Sequence, residues 1–346
     1  MEFRYSKELD PAGLDTEALC LNVPFRMHQS PGREDLGAIM AQEDWKEIIG
    51  AFVTPKAGLS PKFNFLSVAF PETIPDRLEV LAYFNEYGLL HDDVVESVNQ
   101  QEGDEQNDEA MHVCERGATG SIENFKNITG RGLMMSKVAS KMLSIDPGPA
   151  SVALSHWAEW FRKGAGRRNH TQFTTLEEYL EYRIFDVGDV YLIGIGIFGM
   201  GLNIPEHEMK LLPGLCRQAW IALSLTNDLF SLEKELKAAK ENPVADVSNA
   251  VVVVMRERGI DQEEAEELCR QLIRQSVAKF LHTVEATKNQ EHLSHDLRVL
   301  IEAVQYILSG NLAWTRSAPR YNPGVAFSDR QLEWMKYGTP QLVFTA

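Results

Sequence analysis

The sequence predicts a single all-α domain, and three observations carry that prediction. Apolar residues recur at helical spacing through several long segments that open on capping residues. Strand signals are scarce: VVVVM, Val251 to Met255, is the one β-branched run, and its setting between SNA and RERG favours a buried helix. No internal repeat and no Pro- or Ser-rich linker divides the 346 residues, and a chain of that length with 44% hydrophobic residues can bury a large core.

Each element has a local reason. Pro75 suits a first helical turn, and PDRLEVLAYFNEYGLLHDDVVESV, Pro75 to Val98, carries one further breaker, Gly88, among apolar residues at helical spacing. The acidic QEGDEQNDEA, Gln101 to Ala110, reads as a solvated loop or flap. Another helix is expected near Thr174, where Thr174 and Glu177 offer a capping box. Further helices are expected from Pro213 to about Lys240, from Asp261 (with Glu264 three residues on) to Asn289, and from His295 to Thr315. GIGIFG, Gly194 to Gly199, matches the dinucleotide fingerprint GxGxxG, but it sits late in a helical pattern without a strand-turn-helix boundary. Close helix packing is the better account of these glycines.

Composition removes whole function classes. A formal charge of −16 argues against nucleic acid or anionic lipid as the main partner, since those need a basic surface. Cys20, Cys114, Cys216 and Cys269 are far apart and lack zinc or redox spacing, so they read as buried thiols of an intracellular protein. MEFRYSKELD has no apolar export signal, and the longest apolar run, Val190 to Leu202, is shorter than the roughly 20 residues a spanning helix needs. A cytoplasmic location is the expectation.

The chemistry lies in two acidic rows. LLHDDVVESV, Leu89 to Val98, places Asp92, Asp93 and Glu96 within five residues. On a helix Asp92 and Glu96 stand one turn apart on one face, with Asp93 rotated by about 100°. Behind Asp92 on that face lie Gly88, Asn85 and Leu81, a small and largely apolar lining. Carboxylates at the mouth of such a lining rise in pKa unless a cation meets them, and divalent metal is the natural partner. A solvated acidic helix end explains a lone DDxxE equally well.

The second row, NDLFSLEKE, sets Asn227, Ser231 and Glu235 at i, i+4 and i+8 on one face, above Leu223 and Trp220. All three offer hard oxygen, the donor Mg2+ prefers, and none offers sulfur or imidazole. Two helices therefore each present oxygen ligands above an apolar interior. Other eye-catching residues read more simply: His292 and His295 of HLSH as solvent-facing, FRKGAGRRNH (Phe161 to His170) as surface charge or as a loop over an anion, and Lys234 as an anion contact or an exposed ion pair.

At these residues the sequence resembles class I terpene cyclases. DDVVE resembles their aspartate-rich motif and NDLFSLEKE their NSE motif. Trp314, Arg320 and Tyr321 stand at the family's WxxxxxRY spacing, and Arg183 in YRIFD resembles its diphosphate-sensor arginine, with Asp186 as the linker. Over nearly the whole chain, including MEFRYS, RLEVLAYFNEYGLLHDD, SGNLAWTRSAPRYNP and QLEWM, it is similar to the cyclase half of the fungal chimeric di- and sesterterpene synthases of the fusicoccadiene synthase type. Two departures stand out: Glu96 where many cyclases have Asp, and Val187, with Gly188 one step later, where bacterial relatives place a glycine.

The resemblance implies a class I terpenoid synthase fold over residues 1–346, a helical bundle around a central apolar cavity, and a lyase of secondary metabolism that releases pyrophosphate. Asp92 would be the principal aspartate-rich ligand and Glu96 a weaker one, with Asn227, Ser231 and Glu235 holding another Mg2+ of a trinuclear cluster. Arg183, Lys234, Arg320 and Tyr321 would grip the diphosphate. The substrate would be a linear isoprenyl diphosphate, with geranylgeranyl diphosphate preferred and geranylfarnesyl diphosphate the alternative. The carbocation left behind needs a dry cavity with aromatic faces, for which Phe65, Phe84, Tyr87, Trp220 and Trp314 are candidates. Chimeric relatives continue into a prenyltransferase domain, and that domain is expected to be absent from this sequence.

A chain-elongating prenyltransferase is a second reading, opposed by the single DD pair. An acidic metal-binding scaffold is a third; it explains the charge but neither the RY element nor the apolar face behind each row.

Overall fold

The computed structural model describes residues 1–346 apart from 11, 15, 51–57, 96–97, 121–127, 129, 169–170, 242–246 and 341–346, and the side chains at 238 and 241. Two four-residue strands, β1 (Ser6–Leu9) and β2 (Phe25–His28), pair antiparallel with Ser6 opposite His28. Strands this short carry too little alternation to stand out in the sequence. The rest is helical: α1 (Gly32–Ile48), α2 (Phe65–Ala69), α3 (Pro75–Val95), α4 (Gln100–Ala118), α5 (Gly130–Ile145), α6 (Pro147–Lys163), α7 (Leu176–Asp186), α8 (Asp189–Met200), α9 (Glu206–Met209), α10 (Leu212–Glu241), α11 (Ala250–Arg258), α12 (Gln262–Lys288), α13 (His295–Thr315) and α14 (Asp329–Tyr337).

The expected helices from Pro75, Pro213, Asp261 and His295 are present as α3, α10, α12 and α13, and VVVVM lies in α11. Asp261 and Glu264 close the expected capping box. At α7 the cap is shifted by one residue: Thr175 accepts from the Glu178 backbone N–H, and the Thr174 hydroxyl donates to the Glu178 carboxylate.

The acidic segment Gln101–Ala110 is the larger correction, because it is the body of α4 rather than a loop. Asn99 caps the helix by accepting from the Glu102 N–H, and Gln100 and Gln101 donate to Asp104 and Glu105 one turn on. The acidic face is solvated, while Gly103, Asn107, Ala110, Cys114 and Gly117 form a buried stripe of small side chains. That stripe lets α4 pack closely on α6. Arg167 of the basic segment bonds Asp104 (2.9 Å) and Asp108 (2.6 Å).

GIGIFG lies inside α8, which is buried throughout from Tyr191 to Gly199. A Cβ on Gly194 would sit 3.2 Å from the Ala153 carbonyl oxygen of α6, and one on Gly196 would sit 2.8 Å from Leu300. The glycines serve helix packing, as the sequence context indicates. Gly188, at φ 92° in the left-handed region, separates α7 from α8 and turns the chain at the edge of the site. Helix α8 touches α3, α6, α7 and α13, and α10 touches α7 and α13, so these helices enclose one central space. All four cysteines are buried and free. No described helix is long and apolar enough to cross a membrane.

Candidate active site

One cavity gathers both acidic rows. Asp92 from α3, Arg183 and Asp186 from α7, Asn227, Ser231, Lys234 and Glu235 from α10, and Arg320 and Tyr321 after α13 all line it. Asp92 and Glu235 thus share a cleft. Below them the walls are Phe65, Gly88, Leu89, Trp160, Tyr191, Leu192, Leu223 and Trp314. Polar groups at the mouth and apolar groups at the floor follow from helix periodicity, since each row sits at one end of an apolar stripe.

The α10 wall is locked by a buried network. Asp228 is fully buried; its Oδ1 accepts from Arg183 Nε at 3.0 Å, and its Oδ2 accepts from the Tyr179 hydroxyl at 2.6 Å and the Ala250 N–H at 2.9 Å. Arg183 also donates to Asn227 Oδ1 at 2.7 Å and pairs with Asp186. Asn227 in turn donates to the Tyr321 hydroxyl at 3.2 Å. Asn249, the cap of α11, donates to Glu235 Oε2 at 2.9 Å and to the Asp228 carbonyl at 2.8 Å. Burial alone would lower the Arg183 pKa, but Asp228, Tyr179, Asp186 and Glu235 outweigh it and hold the guanidinium charged.

The α3 wall is held from across the cleft. Arg320 Nη1 lies 2.9 Å from Asp93 Oδ2 and its Nη2 lies 3.6 Å from Asp92 Oδ2, while Lys234 Nζ lies 3.3 Å from Asp93 Oδ1. Burial raises the Asp93 carboxyl, but the Arg320 and Lys234 charges prevail and keep its pKa below the ordinary value. Repulsion among the carboxylates is relieved here by the protein's own cations. Asn322 fixes the turn that delivers Arg320, donating to the Thr315 and Ala318 carbonyls at 2.8 and 3.0 Å.

The aromatic expectations divide. Phe65 and Trp314 line the cavity, packed edge to face at 5.3 Å, with Tyr321 against Trp314 at 5.4 Å. Phe84, Tyr87 and Trp220 do not line it. Phe84 and Tyr87 lie on the neighbouring face of α3, where Phe84 stacks on Trp157 at 3.4 Å and Tyr87 packs on Trp45 at 5.9 Å. Trp220 lies two turns before Asn227, roughly 10 Å along the axis, and Leu223 lines the cavity in between. Leu81, expected behind Asp92, is core as well. Glu96 falls outside the described residues.

Sequence reading missed Trp160 and Tyr191 as lining rings, and Asp228, Tyr179 and Asn249 as supports. One signal was available: Tyr179 and Arg183 stand one turn apart on α7 and both reach Asp228.

Among the described residues no three His, Cys, Asp or Glu side chains gather as a metal cluster. The oxygen donors at the mouth are instead a mixture of carboxylate, amide and hydroxyl: Asp92, Asn227, Ser231 and Glu235. That set has the hardness Mg2+ requires and offers nothing a soft metal would prefer.

The pattern that defines "Terpene synthase family 2, C-terminal metal binding" matches residues 83–279, which include both rows. The chain belongs to the terpene synthase family. It is 43% identical to fusicoccadiene synthase of Phomopsis amygdali over 99% of this chain and 48% of that protein. It is 39% identical to a bifunctional type I diterpene synthase of Aspergillus flavipes (99% and 44%) and 37% identical to ophiobolin F synthase of Aspergillus clavatus (98% and 46%). The chain thus spans about half the length of these curated relatives. Aristolochene synthase from Penicillium roqueforti superposes with a TM-score of 0.67 at 20% identity, covering 84% of this chain and 96% of that one. The class I terpene synthase fold expected from the motifs is therefore the fold observed.

Proposed function

We propose that this chain is a class I terpene cyclase domain that ionises geranylgeranyl diphosphate and folds the resulting cation into a polycyclic diterpene. The observation that carries the reading is one cavity with oxygen donors and cations together at its mouth and aromatic rings below. Arg183, Lys234, Arg320 and Tyr321 bind the diphosphate and stabilise the negative charge that develops as the allylic C–O bond breaks. Asp92, Asn227, Ser231 and Glu235, with Glu96 as a further candidate, would hold a cluster of three Mg2+ ions. When bound, Mg2+ supplies Lewis-acid stabilisation of the departing pyrophosphate. Phe65, Trp160, Tyr191 and Trp314 present ring faces to the cation, each worth about 0.5–2 kcal/mol, and exclude the bulk water that would capture it.

In this state Arg183 occupies Asn227 Oδ1, and Arg320 and Lys234 occupy the aspartates. Diphosphate binding exchanges these partners: the cations turn to phosphate oxygen and free the acceptors. The cavity measures about 150 Å³, below the roughly 300 Å³ at the small end of ligand pockets. A twenty-carbon chain therefore displaces lining side chains as it enters.

Geranylfarnesyl diphosphate remains a second reading, because this chain's relatives include an ophiobolin F synthase and a bifunctional sesterterpene synthase beside the diterpene synthase. The longer relatives include bifunctional enzymes, and a prenyltransferase domain in a longer form of this protein would supply the diphosphate in the cytoplasm. Incubation with each diphosphate and Mg2+, with volatile products analysed by mass spectrometry, tests the assignment. A cyclic C20 hydrocarbon and pyrophosphate are expected, and both should vanish with EDTA. Release of pyrophosphate from neither substrate would overturn the reading.

A further inference from the structure

Asn311 is an amide in a cavity whose lining away from the acidic rows is mainly hydrocarbon and aromatic rings. It lies on α13 three residues before Trp314, is 3% exposed, and lines the cavity, yet its Nδ2 is buried without a hydrogen-bond partner. Buried donors in native proteins are met by protein or by ordered water, and leaving one unmet costs free energy. The cavity's other two amides show the contrast: Asn227 is bonded to Arg183 and Tyr321. Asn85 accepts from the Tyr191 hydroxyl at 3.1 Å and is anchored. Asn311 is also followed one turn later by Thr315, 1% exposed, whose Oγ1 is likewise buried without a partner. Residues i and i+4 share a helix face, so α13 sets an amide donor beside a hydroxyl. A bound water needs two to four polar partners, and this pair supplies two.

We propose that Asn311, with Thr315, holds one water molecule at the cavity wall and that this water decides where the carbocation cascade ends. This rests on the cyclase reading above. The polarity of the amide gives the reason. N–H hydrogens turned toward a cation would repel it, whereas a water that accepts from Nδ2 presents an oxygen lone pair instead. That lone pair takes a proton from the carbon next to the cationic centre. The C–H bonding pair becomes the new C=C bond, the oxygen becomes hydronium, and the proton passes to the pyrophosphate released in the same cavity. Charge and atoms balance, and the water is regenerated.

The test compares wild type with Asn311→Leu, which keeps the side-chain size but removes the donor, and Asn311→Ser, which keeps a hydroxyl and leaves room for the water. Each alkene is measured as a share of the pyrophosphate released, so a change in overall rate does not enter. Losing one hydrogen bond should cut the share of the main alkene about fivefold in Asn311→Leu, with other alkenes rising to replace it. Asn311→Ser should restore much of that share. Thr315→Val should shift the products in the same direction by a smaller factor. An unchanged product distribution in both Asn311→Leu and Thr315→Val would overturn the inference while leaving the cyclase reading intact. Failure of wild type to release pyrophosphate would overturn both.

Discussion

The two walls of the site are built by opposite means. On the α10 side the functional row stands on Asp228, a fully buried carboxylate that ties Arg183, Tyr179 and the start of α11 together. On the α3 side Asp92 and Asp93 are about one-third exposed and are met by Arg320 and Lys234 reaching over the cleft. One wall rests on a fully buried carboxylate; the other sets one-third-exposed carboxylates against Lys234 and Arg320, the latter itself only 7% exposed. On the proposed reading the α3-side pairs are the ones a diphosphate would replace, because their carboxylates are one-third exposed whereas Asp228 is fully buried.

Breaking the buried wall should have the largest effect. Asp228→Ala leaves Arg183 buried beside lost partners, and removal of one member of a buried pair costs about 3–5 kcal/mol. Urea denaturation should show that loss. Asp93→Ala removes a one-third-exposed carboxylate from Arg320, which keeps Asp92 at 3.6 Å, and should cost less, about 1.5–3 kcal/mol, as a lost hydrogen bond to a charged group does. Equal destabilisation by the two would end the distinction between the walls.

The donors themselves come next. Asn227→Ala and Asp92→Ala should leave circular dichroism unchanged and reduce pyrophosphate release by about 10²–10³-fold, the usual cost of deleting one preorganised electrostatic group. Full activity in both variants would contradict their assignment to metal.

The contrast also explains what could be read from sequence. The donors sit on long helices, so spacing puts Asn227, Ser231 and Glu235 on one face and Asp92 above an apolar lining, while their sharing one cavity is what the resemblance implies and the fold provides. Asp228 adjoins Asn227 in the chain, but its role depends on Tyr179 and Asn249, whose approach is set by helix packing. Phe84 and Tyr87 illustrate the same limit: they belong to the same helix as Asp92, and only the placement of α6 and α1 turns their rings into core. Charge misled for α4, because its acidic face dominates composition while the stripe from Gly103 to Gly117 decides its packing.

A pH dependence sharpens the comparison on the α3 side. Glu86 is 1% exposed and accepts from Gln42 Nε2 at 2.6 Å and the Gly58 N–H at 2.8 Å; the Gly58 carbonyl accepts from Trp314 Nε1 at 2.7 Å. Burial pushes the Glu86 carboxyl up to about 7, against those hydrogen bonds and the Arg320 charge. A carboxyl with a raised folded pKa contributes stability that is fully present below its unfolded value of 4.5 and is lost as pH rises through about 7. Stability should therefore decline between pH 5 and pH 8 by about 1–3 kcal/mol on this account. Glu86→Gln should flatten that decline in a series of thermal melts, and an unaltered slope would assign it to other groups.

The smallest expected change in stability is at Gly88, one turn before Asp92. A Cβ there would meet the Tyr191 hydroxyl at 3.3 Å and its ring at 3.7 and 3.8 Å. Alanine gains about 0.5–1 kcal/mol over glycine inside a helix, and a shift of a few tenths of an ångström in the packed Tyr191 ring costs a similar amount. The two terms nearly cancel, so Gly88→Ala should move Tm by less than about 2 °C. The cavity has no such compensation. Displacing Tyr191 loosens its 3.1 Å bond to Asn85 and shifts a ring that also packs on Trp160 at 4.9 Å. The product distribution should therefore change in a variant whose melting does not. A large fall in Tm with unchanged products would mean that Gly88 serves the bundle and that the cavity wall tolerates the extra methyl.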